Sequence, residues 1–257
     1  MEEKELRNQI IEACLYLQKT GLIARTWGNV SARLNDKQFI ITPSGLAYEN
    51  TKPEDLVIVN IDDCSYDKNQ RKPSSEKLVH ASAYQLREDV NFIIHTHQFY
   101  ASAICSEEKD ITINDTFVPC AKYGLPSTSN LQSKCGEVIE KYPKSNMFLM
   151  AKHGAFTFGK TMKEALDNAE LLEQGCKKLF TERVDKFYVP EKMKAYLDDY
   201  AQMFPLQTDE DEEAIRMVEE KNAAAMLYAR NAKPLGFIDR NLQHLIYIFK
   251  YSRLKNK

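Results

Sequence analysis

A chain of 257 residues in which 43% are hydrophobic is long enough and apolar enough to bury a full core. Its formal charge of −2, without any lysine or arginine run, argues against nucleic acid or an anionic membrane as the main partner, so an acidic ligand must be met by a local site. No stretch reaches membrane-spanning length, and the charged start Met1-Glu2-Glu3-Lys4-Glu5 leads into a helical pattern instead of a secretory signal, so a cytoplasmic location is expected.

Leu6, Ile10, Ile11, Cys14, Leu15 and Leu17 recur at three- and four-residue spacing and predict an amphipathic first helix that stops near Thr20-Gly21. Short β-patterned runs follow over 29–34, 38–42 and 56–61, separated by turn-rich pieces such as Asn35-Asp36-Lys37 and Pro43-Ser44-Gly45. From Ser75 the pattern becomes helical, with Leu78, Val79, Ala83 and Leu86 on one face. The run Asn91-Phe92-Ile93-Ile94 then leads to His95-Thr96-His97. Alternate residues of a strand point the same way, so both imidazoles face one side of a sheet, as two ligands of one metal must. The plain alternative is two histidines at a strand end bonded to backbone or water.

Residues 98–105 read as a short helix, 116–119 as a short strand and 129–142 as a helix. A second apolar run, Asn146 to Ala151, precedes Lys152-His153-Gly154 and puts a third histidine at a strand end, ahead of a further run over 155–158 and a long helix from Met162 to Phe180. Three histidines at the ends of two buried strands suit an open metal site, because catalytic zinc keeps about three protein ligands and leaves room for substrate. Six cysteines form no C-x-x-C pair and read as reduced thiols. From Asp185 onward the pattern is charged helix, over 191–203, 208–232 and 239–255, and the acidic run at Thr208 to Glu213 reads as a solvated helix start.

Three loops carry anion-binding chemistry. Pro73-Ser74-Ser75-Glu76 sets two hydroxyls and two backbone N–H groups at a helix start, which binds phosphate well; read more simply, Ser75 is an N-cap and Glu76 complements the helix dipole. Thr26-Trp27-Gly28-Asn29-Val30-Ser31 and Thr42-Pro43-Ser44-Gly45 each combine a glycine with hydroxyl or amide side chains, and each could bring N–H groups up to an anion.

In this order, Gly28-Asn29-Val30-Ser31, Ile41-Thr42-Pro43-Ser44-Gly45, Pro73-Ser74-Ser75-Glu76, His95-Thr96-His97 and Lys152-His153-Gly154 resemble the class II aldolase/adducin family of metal-dependent sugar-phosphate enzymes. The resemblance covers roughly residues 5 to 180 and implies an α/β fold, a three-layer α/β/α domain with a central, largely antiparallel mixed β-sheet; with the charged helical pattern that follows, the domain is expected over 1–204 and a helical C-terminal extension over 205–257. It implies that His95, His97 and His153 hold one divalent metal per subunit, usually zinc, with Glu76 near or on it. Gly28, Asn29, Ser44, Gly45, Ser74 and Ser75 would form the phosphate and substrate cradle, and His80 matches a histidine with a packing role.

The activity implied is class II aldolase cleavage of a small ketose phosphate, through an enediolate that the metal stabilises as a Lewis acid, with Glu76 as general base. A homotetramer is the expected assembly. A sugar-phosphate 4-epimerase or dehydratase using the same site is the alternative, since the loop from Thr26 to Ser31 looks like the epimerase version while Glu76 stands where epimerases resemble P-S-S-D. An adducin-like scaffold is the alternative of another class, and the presence of all three histidines speaks against it. The general acid stays unassigned among Tyr123, Tyr196 and Tyr200.

Overall fold

The computed structural model describes residues 2–23 and 26–186. The helices expected over 191–203, 208–232 and 239–255, the boundary at 204, Tyr196 and Tyr200 lie outside the described residues. The first helix, α1 (Glu3–Lys19), buries Leu6, Ile10, Ala13, Cys14 and Leu17 and ends at Thr20, after which Gly21 takes the left-handed conformation with φ +73°.

A seven-stranded sheet forms the middle layer, from β1 (Gly28–Asn35), β2 (Gln38–Ile41), β3 (Val57–Asn60), β4 (Phe92–Thr96), β7 (Cys120–Ala121), β8 (Met147–Met150) and β9 (Gly154–Gly159). The spatial order is β3-β2-β1-β4-β9-β8-β7, and every pair is antiparallel except β7 with β8. This is the expected largely antiparallel mixed sheet. Side-chain alternation divides the core between its two faces. Val30, Ala32, Ile40 and Ile94 pack toward α1 and toward Met162, Ala165 and Ala169 of α5 (Met162–Lys186). Ile93, Phe156 and Phe158 pack on the other side with Val79 and Ala83 of α2 (Lys77–Leu86) and Leu131, Cys135 and Ile139 of α4 (Ser129–Lys141). A third cluster joins Tyr100 and Ile104 of α3 (Phe99–Cys105) to Leu149, Ala155 and Leu172.

Several expectations shift. The helix expected from Ser75 begins at Lys77, so Glu76 stands at its N-cap position instead of inside its first turn. Leu86, expected on the buried face, is 39% exposed, and His80 and Tyr84 are buried instead, because the stripe that meets β1 meets polar side chains there. Two further strands escape a reading by periodicity. The two-residue strand β7 is too short to alternate. The strand β5 (Ile111–Ile113) pairs with β6 (Thr116–Val118) in a separate hairpin, whose turn residues Asn114 and Asp115 both have positive φ, the type of turn that such residues favour. His153 follows β8 in the tight turn to β9, after Lys152 at φ +58°.

Candidate active site

Pairing across the sheet assembles the site. β1 lies beside β4 with Gly28 opposite Thr96 and Asn29 opposite His95, so the first loop and the H-x-H string meet although they are far apart in sequence. Gly28 is required there: its φ is +140°, and a Cβ would stand 2.7 Å from the backbone oxygen of His95. Gly154 is required for space, since a Cβ would fall 2.4 Å from the oxygen of Thr96. The loops at 42–44 and 72–74 bond to each other, with Ser44 N–H donating to Lys72 O (2.9 Å) and Ser74 N–H donating to Thr42 O (3.0 Å).

The result is one cleft with a volume of about 370 Å³. Gly28, Asn29, Ser44, Gly45, Ser74 and Ser75 all line it, as do Glu76, His95, His97 and His153, so the residues expected to hold the phosphate and the metal are brought together. The cradle differs in detail from the expectation. N–H groups of Ser44 and Ser74 are taken up between the loops, and Glu76 N–H bonds Ser74 Oγ at 3.3 Å, so these three backbone donors are engaged within the protein. Trp27, Pro126, Ser127 and Lys152 also line the cleft, and of these Pro126 and Ser127 carried no sequence signal. Ser127 takes φ +64°, and its backbone N–H draws the Glu76 carboxyl downward. Tyr123, a candidate general acid, is 47% exposed and does not line the cleft.

At the foot of the cleft the three imidazoles converge, their candidate ligand atoms all lying within 4.8 Å of one another. His95 Nε2 is 3.0 Å from His97 Nε2 and 3.2 Å from Glu76 Oε2, and His153 Nε2 is 3.3 Å from Glu76 Oε1. His95 Nδ1–H donates to Ala155 O at 2.9 Å, which fixes the tautomer and turns the Nε2 lone pair inward. Burial, reinforced by His153, holds His95 down to about 3, and burial with His95 and His153 holds His97 down to about 2. Both rings are therefore neutral, and the His95 Nε2 lone pair faces His97 Nε2 and the Glu76 carboxylate. Glu76 Oε2 and His153 Nδ1 are buried with no hydrogen-bond partner. Nitrogen lone pairs and a carboxylate crowded this closely suit a divalent cation bound in their midst, and nitrogen-rich donors with one carboxylate fit zinc.

Glu76 is pushed upward chiefly by burial, with His153 and the Ser127 N–H opposing the shift. His153 is lowered by burial against the opposing pull of Glu76. These directions set a pH dependence for the metal-free chain. Above about 6.5 the histidines are neutral in both folded and unfolded states. As pH falls below that value the unfolded chain takes up protons that folded His95 and His97 refuse, so stability falls by about 1.4 kcal/mol per pH unit for each of them. Glu76, raised in the fold, contributes stability that is present below its ordinary value and lost as pH rises through its folded one. Urea midpoints of the metal-free protein are thus expected to drop steadily between pH 6.5 and 5, and a flat profile would contradict this assignment.

Comparison with known proteins agrees with the geometry. The Class II Aldolase and Adducin N-terminal domain matches residues 8–180. The chain is 34% identical to the probable L-ribulose-5-phosphate 4-epimerase of Mycoplasma pneumoniae, over 66% of this chain and 78% of that one. It is 33% identical to the L-fuculose phosphate aldolase of Haemophilus influenzae, over 67% of this chain and 81% of that one. The fold matches the crystal structure of L-fuculose-1-phosphate aldolase from Thermus thermophilus with a TM-score of 0.62 at 24% identity, over 72% of this chain and 97% of that one. The chain belongs to the class II aldolase and adducin family. Among the described residues no helix is long and apolar enough to cross a membrane.

Proposed function

We propose that this protein is a cytoplasmic, divalent-metal-dependent aldolase that cleaves a small ketose phosphate. One observation carries the reading: a buried carboxylate, Glu76, stands 3.2 and 3.3 Å from two of three converging neutral imidazoles, below walls that carry hydroxyl and amide donors. His95, His97 and His153 would hold the ion, with Glu76 on or beside it and zinc the best fit to the donor set. When bound, the ion supplies Lewis-acid stabilisation of the negative charge that develops on the substrate's carbonyl oxygen.

The protein's own groups do the rest. Gly28, Asn29, Ser44, Gly45, Ser74 and Ser75 bind the phosphate and orient the reacting end. Glu76, whose raised affinity for protons makes it a better base than an exposed carboxylate, takes the proton of the hydroxyl β to the carbonyl. The adjoining carbon–carbon bond breaks, its electron pair stays with the carbonyl fragment, and the aldehyde leaves. Glu76 then returns the proton to the carbon left behind. The reading takes residues 1–204 as the catalytic domain, 205–257 as a helical extension, and the assembly as a homotetramer with one ion per subunit.

A second reading, a sugar-phosphate 4-epimerase or dehydratase using the same base and ion, is favoured by the Thr26 to Ser31 loop and by the epimerase among the relatives. A non-catalytic scaffold has no use for four converging ligand groups. Product analysis of the metal-loaded protein with ketose 1-phosphates and 5-phosphates separates the readings. Dihydroxyacetone phosphate and an aldehyde are the expected products; an isomeric pentulose phosphate without fragments means epimerase, and no turnover of any member revives the scaffold.

A further inference from the structure

The sheet face beneath α2 carries a polar line through an apolar layer. Asn29, Ser31 and Arg33 alternate along β1, and His80 and Tyr84, one helical turn apart, come down on them. Ser31 Oγ is 2.8 Å from the Tyr84 hydroxyl and 2.7 Å from His80 Nδ1, and His80 Nε2 is 2.5 Å from Asn29 Oδ1. All four side chains are buried. A buried polar network stabilises a fold no better than apolar packing does, so its presence points to a need for orientation. Of the four, Asn29 alone lines the cleft.

The network has a direction. His80 is kept neutral by burial, with His95 adding to the effect, so one ring nitrogen carries a proton. With the Asn29 oxygen against it, that nitrogen is Nε2, and Nδ1 accepts from the Ser31 hydroxyl. Ser31 then accepts from Tyr84, whose other acceptor, Asn91 O, is at the long distance of 3.5 Å. The one-way chain Tyr84 to Ser31 to His80 to Asn29 occupies the carboxamide oxygen and turns its NH2 toward the cleft. The opposite direction would present the carbonyl oxygen to an anion.

We propose that His80 is a positioning residue, which with Ser31 and Tyr84 behind it locks the Asn29 carboxamide as a hydrogen-bond donor to the substrate's phosphate. This rests on the reading of the surrounding loops as an anion cradle. The test titrates inorganic phosphate into the full metal-loaded chain by calorimetry, comparing the parent protein with Asn29→Ala, His80→Leu, His80→Gln and the Asn29→Ala/His80→Leu double variant. Asn29→Ala and His80→Leu are each expected to weaken binding about ten- to a hundredfold, the range for a hydrogen bond to a charged group. The double variant should lose no more than either single one, and His80→Gln should recover most of the loss through its own amide N–H.

If the parent protein binds no phosphate, the cradle reading fails and this proposal with it; if the parent binds phosphate and Asn29→Ala binds it equally well, this proposal alone is wrong. If Asn29→Ala weakens binding while a folded His80→Leu does not, the positioning role alone is wrong. Nitrogen NMR of the parent protein decides the matter even if His80→Leu fails to fold: the proton is expected on His80 Nε2, and a proton on Nδ1 overturns the proposal.

Discussion

Glu76→Gln is expected to lower turnover about a thousandfold while the protein keeps its ion, in the range that general acid–base catalysis contributes. Glutamine preserves the size and the hydrogen-bond reach of the side chain but cannot take a proton. The three imidazoles, which supply most of the ligand set, are untouched, and the cradle does not depend on this carboxylate. The loss should therefore fall on kcat, with KM changed little. Steady-state kinetics on protein of measured metal content checks this. Full turnover with normal metal content would move the base to another residue.

His97→Ala is expected to weaken metal binding by at least about a hundredfold, more than the loss of an outer-shell partner costs. Among the three histidines it makes the sharpest test. His95 also bonds Ala155 O and stacks on Phe156, so its removal would disturb β4 and β9 as well as the ion. His97 stands just past the end of β4 and meets the other two rings edge-on, at centroid distances of 4.8 and 4.9 Å. Its deletion should leave the fold standing and open the site. Metal content after dialysis against a weak chelator should fall from about one ion per chain to a small fraction, with activity partly restored by excess metal in line with mass action. Unchanged metal retention would remove His97 from the ligand set.

Much of this site was legible because its ligands sit where local pattern speaks clearly. The alternation Ile93, Ile94, His95, Thr96, His97 places two imidazoles on one face without knowledge of any other strand. The glycines and hydroxyls of three loops carry the same kind of local signal. What brought those loops together is not local: Gly28 faces Thr96, and Ser44 meets Lys72, because β1 pairs with β4 and the loops bond each other. Only the order of motifs, matched to a family, anticipated that arrangement.

The residues that escaped did so for physical reasons. Ser127 reaches Glu76 through a backbone N–H on a left-handed residue, and a backbone contact leaves no mark on side-chain type. The polar stripe of α2 was hidden by the stronger apolar pattern of Leu78, Val79, Ala83 and Leu86, which predicted burial of Leu86 where the fold buries His80 and Tyr84. Of the β5–β6 hairpin only β6 was read, over 116–119, because the three residues of β5 are too few for an alternation to show.

The most direct measurement is hydrogen exchange on dihydroxyacetone phosphate, the carbonyl fragment that cleavage of a ketose 1-phosphate releases. With metal-loaded protein in D2O, proton NMR should show one of the two hydrogens on the hydroxymethyl carbon replaced by deuterium, carried by a Glu76 carboxyl that exchanges with solvent. Glu76→Gln protein with the same metal content should show that replacement slowed about a thousandfold. A parent protein that isomerises a pentulose phosphate yet leaves both hydrogens in place would contradict the aldolase reading, and equal exchange by both proteins would contradict the role given to Glu76.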